Sequence, residues 1–415
     1  MSGRFLVKLQ IDLTINTTKG HHIMQTITPE EAGFSSERLA RIPKAMQNFV
    51  DRQDLAGTLT LLARHGQVFH CATTGLMDIE SRRPMQTDGI FRIYSMTKPI
   101  TVTAVLMLME EGHFLLDDPI SNWMPEFAEM MVYVGSSGDS IDLTDLQHPI
   151  TIRHLLTHSA GLSYGFETEH PVDKLYQKAG IFESKSAQDF IQKLCKLPLV
   201  HQPGERFWYS MAHDVLGCLV EMISGQSLAD FFQQRIFTPL EMVDTGFWVP
   251  QEKLTRLVTM YAPREGGGLQ PEEGSDVDHA TPPPVFSGGG GLLSTAADYL
   301  NFAQMLLNRG QFKNRRLLSR KTFEVLTTPH LPFPPGAIAA DEGFSMGLGL
   351  GVLTDLSRGN RRGSLGSFGW GGAAGTRFWI DPQEDMLGIL MVQTMPGFWR
   401  APEIFEALTY AALVD

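Results

Sequence analysis

Apolar and polar positions change period several times along the chain, and each change marks an element. Residues 1 to 24 carry no clear period and are expected to form a loosely held tail. From Ser35 to Val50, the residues Leu39, Ile42, Met46 and Phe49 recur at helical spacing, which predicts a helix despite Pro43. Two apolar runs follow, Thr58 to Ala63 and Val68 to Thr73, separated by Arg64-His65-Gly66-Gln67, a hairpin signal. Between residue 91 and roughly residue 260 the helical period dominates. It covers the run after Pro99, then Ile152 to His158, Ser186 to Lys196, Ala212 to Ser224 and Ser227 to Phe237. Strand signals return at Gly347 to Thr354, Thr376 to Ile380 and Met386 to Thr394, with a turn at Asp381-Pro382-Gln383-Glu384-Asp385 between the last two. A final helix is predicted from Pro402 to Val414.

The N-terminal hairpin and the C-terminal strands are each too small to stand alone, so they pair most simply into one antiparallel sheet. The expected class is α/β in the α+β sense, an antiparallel sheet flanked by helices with a mostly helical lobe inserted. In residues, 25–92 plus 287–415 make a discontinuous α/β lobe and 93–286 the inserted helical lobe, with the active site between them. Ala262 to Phe286 and Pro332 to Gly343, rich in proline, glycine and acids, are expected loops.

Composition narrows the partners. With 43% apolar and 19% charged residues over 415 positions, the chain is an ordinary globular one. A net charge of −12 argues against nucleic acid or an anionic membrane as partner. The apolar run after Pro99 stops at Glu110, so no membrane span is expected. Met1 to Leu13 contains Arg4, Lys8 and Asp12, the last two inside what would be the apolar core of a signal peptide, and none is recognised. Three scattered cysteines, Cys71, Cys195 and Cys218, suggest a reduced cytoplasmic protein.

The chemistry concentrates at Ser95-Met96-Thr97-Lys98, an S-x-x-K. Residues three apart on a helix are neighbours, so the Ser95 hydroxyl and the Lys98 amine can share a proton. Pro99 is tolerated only in a first helical turn, which puts Ser95 at a helix start, where free N–H groups face any anion formed on it. An ordinary lysine is protonated at neutral pH and cannot take a proton from serine, so a helper group is needed. Tyr209, between a Pro203-Gly204 turn and a helix beginning at Ala212, is the candidate. Its phenol either points into a cleft or is tied down like that of any half-buried tyrosine, and the residues alone leave both open. The glycine-rich stretch Gly366 to Gly375 is either a strand edge whose N–H groups reach a substrate or a bulged strand without a ligand.

Other motifs read as structural. Gly161-Leu162-Ser163-Tyr164-Gly165 is a G-x-S-x-G, but that motif needs a strand before the serine and a helix after it, and here a helical pattern precedes it. His154 and His158 lack the glutamate of a zinc H-E-x-x-H. The tracts Gly266–Gly268 and Gly288–Gly291 lack the Lys-Ser or Lys-Thr of a phosphate loop and read as turns.

Taken together, the S-x-x-K, the Tyr209 segment and Trp370-Gly371-Gly372 resemble the serine β-lactamase and penicillin-binding-protein superfamily, and within it the class C β-lactamase-like family VIII carboxylesterases. The phrases Leu116 to Ile120, Ile152 to Leu162 and Gly288 to Thr295 add to the resemblance, which spans roughly residues 28 to 413. It implies Ser95 as acylated nucleophile, Lys98 as its proton partner and Tyr209 as the tyrosine of Y-x-N. Trp370-Gly371-Gly372 then stands for K-T-G, Ala373 joins Ser95 in supplying backbone N–H groups to an oxyanion hole, and Tyr164 lines the acyl pocket. Two departures bear on substrate: Met211 replaces the asparagine and Trp370 the lysine, groups that grip amide and carboxylate in β-lactam-hydrolysing relatives. The implied activity is hydrolysis of short to medium esters, with no metal or cofactor and a small ester as partner. The rivals are a β-lactamase or D-alanyl peptidase, an acyltransferase, and a non-catalytic scaffold.

Overall fold

The computed structural model describes residues 26–137, 140–272, 278–331, 343–358 and 362–415. The expected tail, 1–24, and residues 332–342 of the second expected loop lie outside them. Among the described residues the main sheet has eight strands: β1 (Gly57–Arg64), β2 (Gln67–Asp78), β3 (Arg83–Pro84), β4 (Phe344–Met346), β5 (Gly351–Leu353), β6 (Phe368–Gly371), β7 (Arg377–Asp381) and β8 (Met386–Met391). Their order is β4-β5-β6-β7-β8-β1-β2-β3, antiparallel throughout. Strands from the two ends of the chain meet where β1 pairs β8, Leu59 opposite Met391 and Arg64 opposite Met386. The β1–β2 loop is His65-Gly66, both at positive φ (52° and 73°), the geometry of a two-residue type I′ turn that matches strand twist.

Side chains alternate across the sheet with period two. Leu59, Leu61, Ala63, Phe378, Ile380, Leu387, Ile389 and Met391 enter the larger core, while Leu62, Trp379, Met386 and Leu390 enter a smaller one on the opposite face. The smaller core is closed by helix α1 (Arg41–Asp51) and the C-terminal helix Arg400–Ala412, through Ile42, Met46, Phe49, Ala401 and Phe405. The larger core holds α2 (Thr97–Glu110), whose residues 97 to 108 are all buried, so no polar stripe remains to face water. It packs against α3 (Ala212–Ser224), and α4 (Ala296–Leu307) lies on β7 and β8. Glu111 and Gly112 close α2 by hydrogen bonds to the Met107 and Met109 carbonyls. Among the described residues no single helix is long and apolar enough to cross a membrane.

Several elements differ from the pattern. The helix expected over Ser35 to Val50 is two, Ser36–Leu39 and Arg41–Asp51. Pro43 has no N–H to give the Leu39 carbonyl, so a break there places it in a first turn. Gly347 to Thr354 is not one strand but a turn leading into β5. The helical stretch after residue 91 is interrupted by a hairpin, Met131–Ser137 with Ser140–Asp145, whose polar faces hid its alternation. Inside the first expected loop, Tyr261–Pro263 pairs with Leu269–Pro271.

Candidate active site

Pro99 sits in the first turn of α2, and the chain enters the helix through a 3-10 turn, Tyr94–Met96. Ser95 lies in that turn, half-buried. Tyr94 before it has φ +42°, a left-handed conformation that costs a non-glycine residue about 1–3 kcal/mol unless its surroundings impose it. The surroundings do so: Ile93 N–H donates to the Leu292 carbonyl at 3.1 Å, and the Tyr299 hydroxyl donates to the Met96 carbonyl at 2.9 Å.

Lys98, one turn on, is 0% exposed. Its Nζ donates to Ser95 Oγ at 3.1 Å, to the Tyr164 hydroxyl oxygen at 3.2 Å and to the Gly289 carbonyl at 2.6 Å. The Tyr209 hydroxyl meets Ser95 Oγ at 2.7 Å, and Lys98 Nζ stands 4.7 Å from the centre of the Tyr209 ring. Of the two arrangements open for Tyr209, the structure adopts the one with its phenol in the cleft. Three residues scattered over 114 positions thus share one hydrogen-bonded cluster.

Asp214, in the first turn of α3, completes the surroundings by accepting from the Tyr164 hydroxyl at 3.0 Å, from Gly289 N–H at 3.0 Å and from the Ser287 hydroxyl. Only glycine brings the 289 peptide this close, because a Cβ there would lie 2.3 Å from Asp214 Oδ2 and 2.4 Å from the Tyr164 oxygen. Burial first, then the Asp214 carboxylate, holds the Tyr164 phenol well above its ordinary pKa. His158 and His213, stacked 4.5 Å apart behind Tyr209, are held well below the usual histidine range by burial, with the Lys98 charge adding to it.

The far wall of the cleft is β6. Gly372, just beyond it, is pressed on the chain ahead of Ser95, where a Cβ would lie 2.4 Å from the Ile93 carbonyl oxygen. Ala373 follows in a tight turn closed by Gly375 N–H to the Gly372 carbonyl at 2.8 Å, with its residue exposed. A cavity of about 240 Å³ opens between Tyr209 and β6, walled by Phe166, Trp208, Phe344 and Trp370, with Gly371 and Arg377 beside them. Arg377 stands opposite Gly371 in the β6–β7 pairing.

One expected substrate contact is corrected. Met211 does not face the cleft: it caps the start of α3, 1% exposed, inside the larger core. An apolar residue at that cap gains more from burial than from the solvent side. The Tyr164 hydroxyl is held by Lys98 and Asp214, and Phe166, stacked on its ring at 5.0 Å, walls the cavity. Asp214, Gly289, Phe166 and Trp208 were not picked out from sequence. An acid in a first helical turn and a glycine in a run of four have ordinary structural readings, and partners 50 and 75 residues away leave no local signal.

Ser163 is fixed as a structural hydroxyl. Buried at 1% exposure, it donates to Asp173 Oδ1 at 2.7 Å and accepts from Gly165 N–H and Trp208 Nε1. His154 closes the capping box of the helix Ile152–Leu156. Among the described residues no group of three or more His, Cys, Asp or Glu side chains is arranged to hold a metal ion.

Comparison with known proteins gives the same picture. The family model described as Beta-lactamase matches residues 42–412. An uncharacterized protein of Mycobacterium tuberculosis is 36% identical over 352 residues, 82% of this chain and 86% of that one. Esterase EstB of Burkholderia gladioli is 29% identical over 376 residues, 86% of this chain and 90% of the esterase. Among solved structures, EstCE1, described as a hydrolase with promiscuous acyltransferase activity, superposes with a TM-score of 0.77 at 26% identity, covering 90% of this chain and 99% of that one.

Two outcomes are expected from this geometry. Ser95→Ala abolishes covalent labelling by a fluorophosphonate and nearly all turnover, whereas Ser163→Ala keeps most activity; a labelled peptide containing Ser163 would reverse the assignment. The second concerns acid. The unfolded chain protonates its histidines below about pH 6.5, whereas His158 and His213 stay neutral in the fold, so unfolding takes up protons and stability falls as pH drops through that value. Each can contribute up to about 1.4 kcal/mol per pH unit. Urea unfolding at pH 7.5, 6.5 and 5.5 measures the slope, which becomes shallower in His213→Gln; an unchanged slope in that variant contradicts the neutral assignment.

Proposed function

The chain belongs to the beta-lactamase family and is a serine hydrolase, and from that premise we propose that it cleaves short to medium uncharged esters through an acyl-enzyme on Ser95. The observation that carries this reading is the double contact of Ser95 Oγ, with Lys98 Nζ at 3.1 Å and the Tyr209 hydroxyl at 2.7 Å, beside a cleft whose wall is Trp370. Ser95 Oγ attacks the ester carbonyl while the Lys98–Tyr209 pair takes its proton. The tetrahedral oxyanion is received by the N–H groups of Ser95 and Ala373, each such donor worth about 2.7–4 kcal/mol. Collapse expels the alcohol with the proton from the pair, and water, activated by the same pair, then releases the acid.

Substrate choice follows from the walls. A penicillin or cephalosporin carries a carboxylate, and a facing cation would contribute a charge-assisted bond of about 1.5–3 kcal/mol. Trp370 offers an apolar face and a single N–H donor instead. Phe166, Trp208 and Phe344 extend the aromatic lining, and about 240 Å³ is less than the roughly 300–1,000 Å³ of sites that take drug-sized ligands. Both features favour compact uncharged acyl or alcohol groups. Acyl transfer to an alcohol in place of water is the second reading. It is supported by EstCE1 and by monacolin J acid methylbutanoyltransferase of Aspergillus terreus, 29% identical over 411 residues, 92% of this chain and 95% of that one.

A panel of chromogenic esters and β-lactams on purified protein tests the reading. p-Nitrophenyl butyrate is expected to be cleaved with a kcat/KM at least tenfold above that of nitrocefin, on the scale of one missing charge-assisted bond. Equal or faster nitrocefin turnover overturns this, and its loss in Arg377→Ala would identify Arg377 as the cation that binds the drug. Adding a primary alcohol and following the new ester separates transfer from hydrolysis.

A further inference from the structure

A wholly buried ammonium persists only where both its N–H bonds and its charge find partners. Lys98 has one acceptor for each of the three N–H bonds of an ammonium: Ser95 Oγ, the Tyr164 oxygen and the Gly289 carbonyl. Two of these three belong to groups that Asp214 holds. Its carboxylate accepts the Tyr164 proton at 3.0 Å, which turns the phenol oxygen toward Lys98, and the Gly289 N–H at 3.0 Å, which fixes the peptide whose carbonyl caps Lys98. Ser287 gives it a third donor from the same loop. Asp214 is itself 9% exposed, and these three donors are what hold its carboxylate in place.

We propose that Asp214 is a positioning residue of the reaction: through the Tyr164 hydroxyl and the Gly289 peptide it holds Lys98 as an ammonium directed at Ser95 Oγ. This rests on the reading of Ser95 as nucleophile. An ammonium fixed 3.1 Å from Ser95 Oγ stabilises that oxygen as its proton passes to the Tyr209 oxygen 2.7 Å away, so that within the pair Tyr209 accepts the proton and Lys98 keeps its own. The groups facing Lys98 are consistent with it. Tyr164 stays a protonated donor and His158 and His213 are neutral, which leaves Asp214 as the carboxylate linked to Lys98, through the Tyr164 hydroxyl and the Gly289 peptide.

Tyr164→Phe, which removes one oxygen and no volume, and Asp214→Asn, which removes the charge, test this together. Each is expected to lower kcat for p-nitrophenyl butyrate by about 10- to 100-fold, the scale of a lost charge-assisted bond, and to leave KM within about threefold. The double variant is little worse than either single one, because the residues act as a unit. With the countercharge gone in Asp214→Asn, or one of its three acceptors gone in Tyr164→Phe, the Lys98 ammonium is less favoured, so the alkaline limb of the kcat–pH profile moves to lower pH in both. A merely structural role would lower the active fraction without moving that limb. If Asp214→Asn does not fold, Tyr164→Phe decides alone. Unchanged kcat and pH profile in Tyr164→Phe, or a rise in activity near neutrality with the acid limb displaced downward, overturns the proposal. Wild-type protein treated in parallel with a fluorophosphonate keeps the two readings apart. A label on wild-type Ser95 with unaffected variants sinks the positioning role alone, whereas no label on wild-type Ser95 sinks the nucleophile assignment beneath it.

Discussion

An amine taken wholly out of water loses its hydrogen bonds to solvent, and the protein must replace them with placed acceptors. Lys98 imposes this condition on the molecule, and its three acceptors come from separate parts of the chain, at 95, 164 and 289. The condition fixes the first turn of α2 at the meeting point of those segments. It explains as well why residue 289 has no side chain, since a Cβ would collide with both Asp214 and Tyr164. Thr101 ties the same loop to α2 by donating to the Gly288 carbonyl at 2.6 Å.

Ser95 and Ser163 both sit in hydrolase-like motifs, and surroundings rather than motif separate them. Ser163 Oγ is enclosed by three partners, one a carboxylate, and has no room for a substrate. Ser95 is half-buried at a strained turn, with an amine and a phenol on its Oγ and β6 opposite.

What could be read from sequence was whatever depended on near neighbours. The β1–β2 hairpin, the start of α2 at Pro99 and α3 over 212–224 follow from local period, turn residues and proline, and the structure has them within a few residues. The Ser95–Lys98 contact is legible because two residues three positions apart share one face of a helical turn. Tyr209 was legible as a candidate, while the choice between cleft and core depended on the tertiary fold. The polar hairpin 131–145, the helix 296–307 and the inward turn of Tyr164 were not legible. Met211 shows the limit most clearly, because a resemblance supplies a position in a motif but not the direction in which a different side chain turns. Asp214 shows the converse, an acid whose helical position has a sufficient local explanation while its partners lie 50 and 75 residues away.

The pairing of β1 with β8 joins the two ends of the chain, and this orders events in time. During synthesis Ser95 and Lys98 leave the ribosome first, followed by Tyr164, Tyr209 and Asp214, then Gly289, and last the β6 turn with Ala373. At about 5–20 residues per second the interval between Lys98 and Ala373 is on the order of 15 to 55 seconds. Throughout it the nascent chain carries Ser95 and Lys98 without the facing strand, and β1 waits without its partner. Loop closure across nearly the whole chain then comes last and is slow. The site therefore cannot be completed by halves: a chain interrupted before β8 has every residue of the Ser95–Lys98–Tyr209 cluster but lacks the strand that joins β1–β3 to β4–β7.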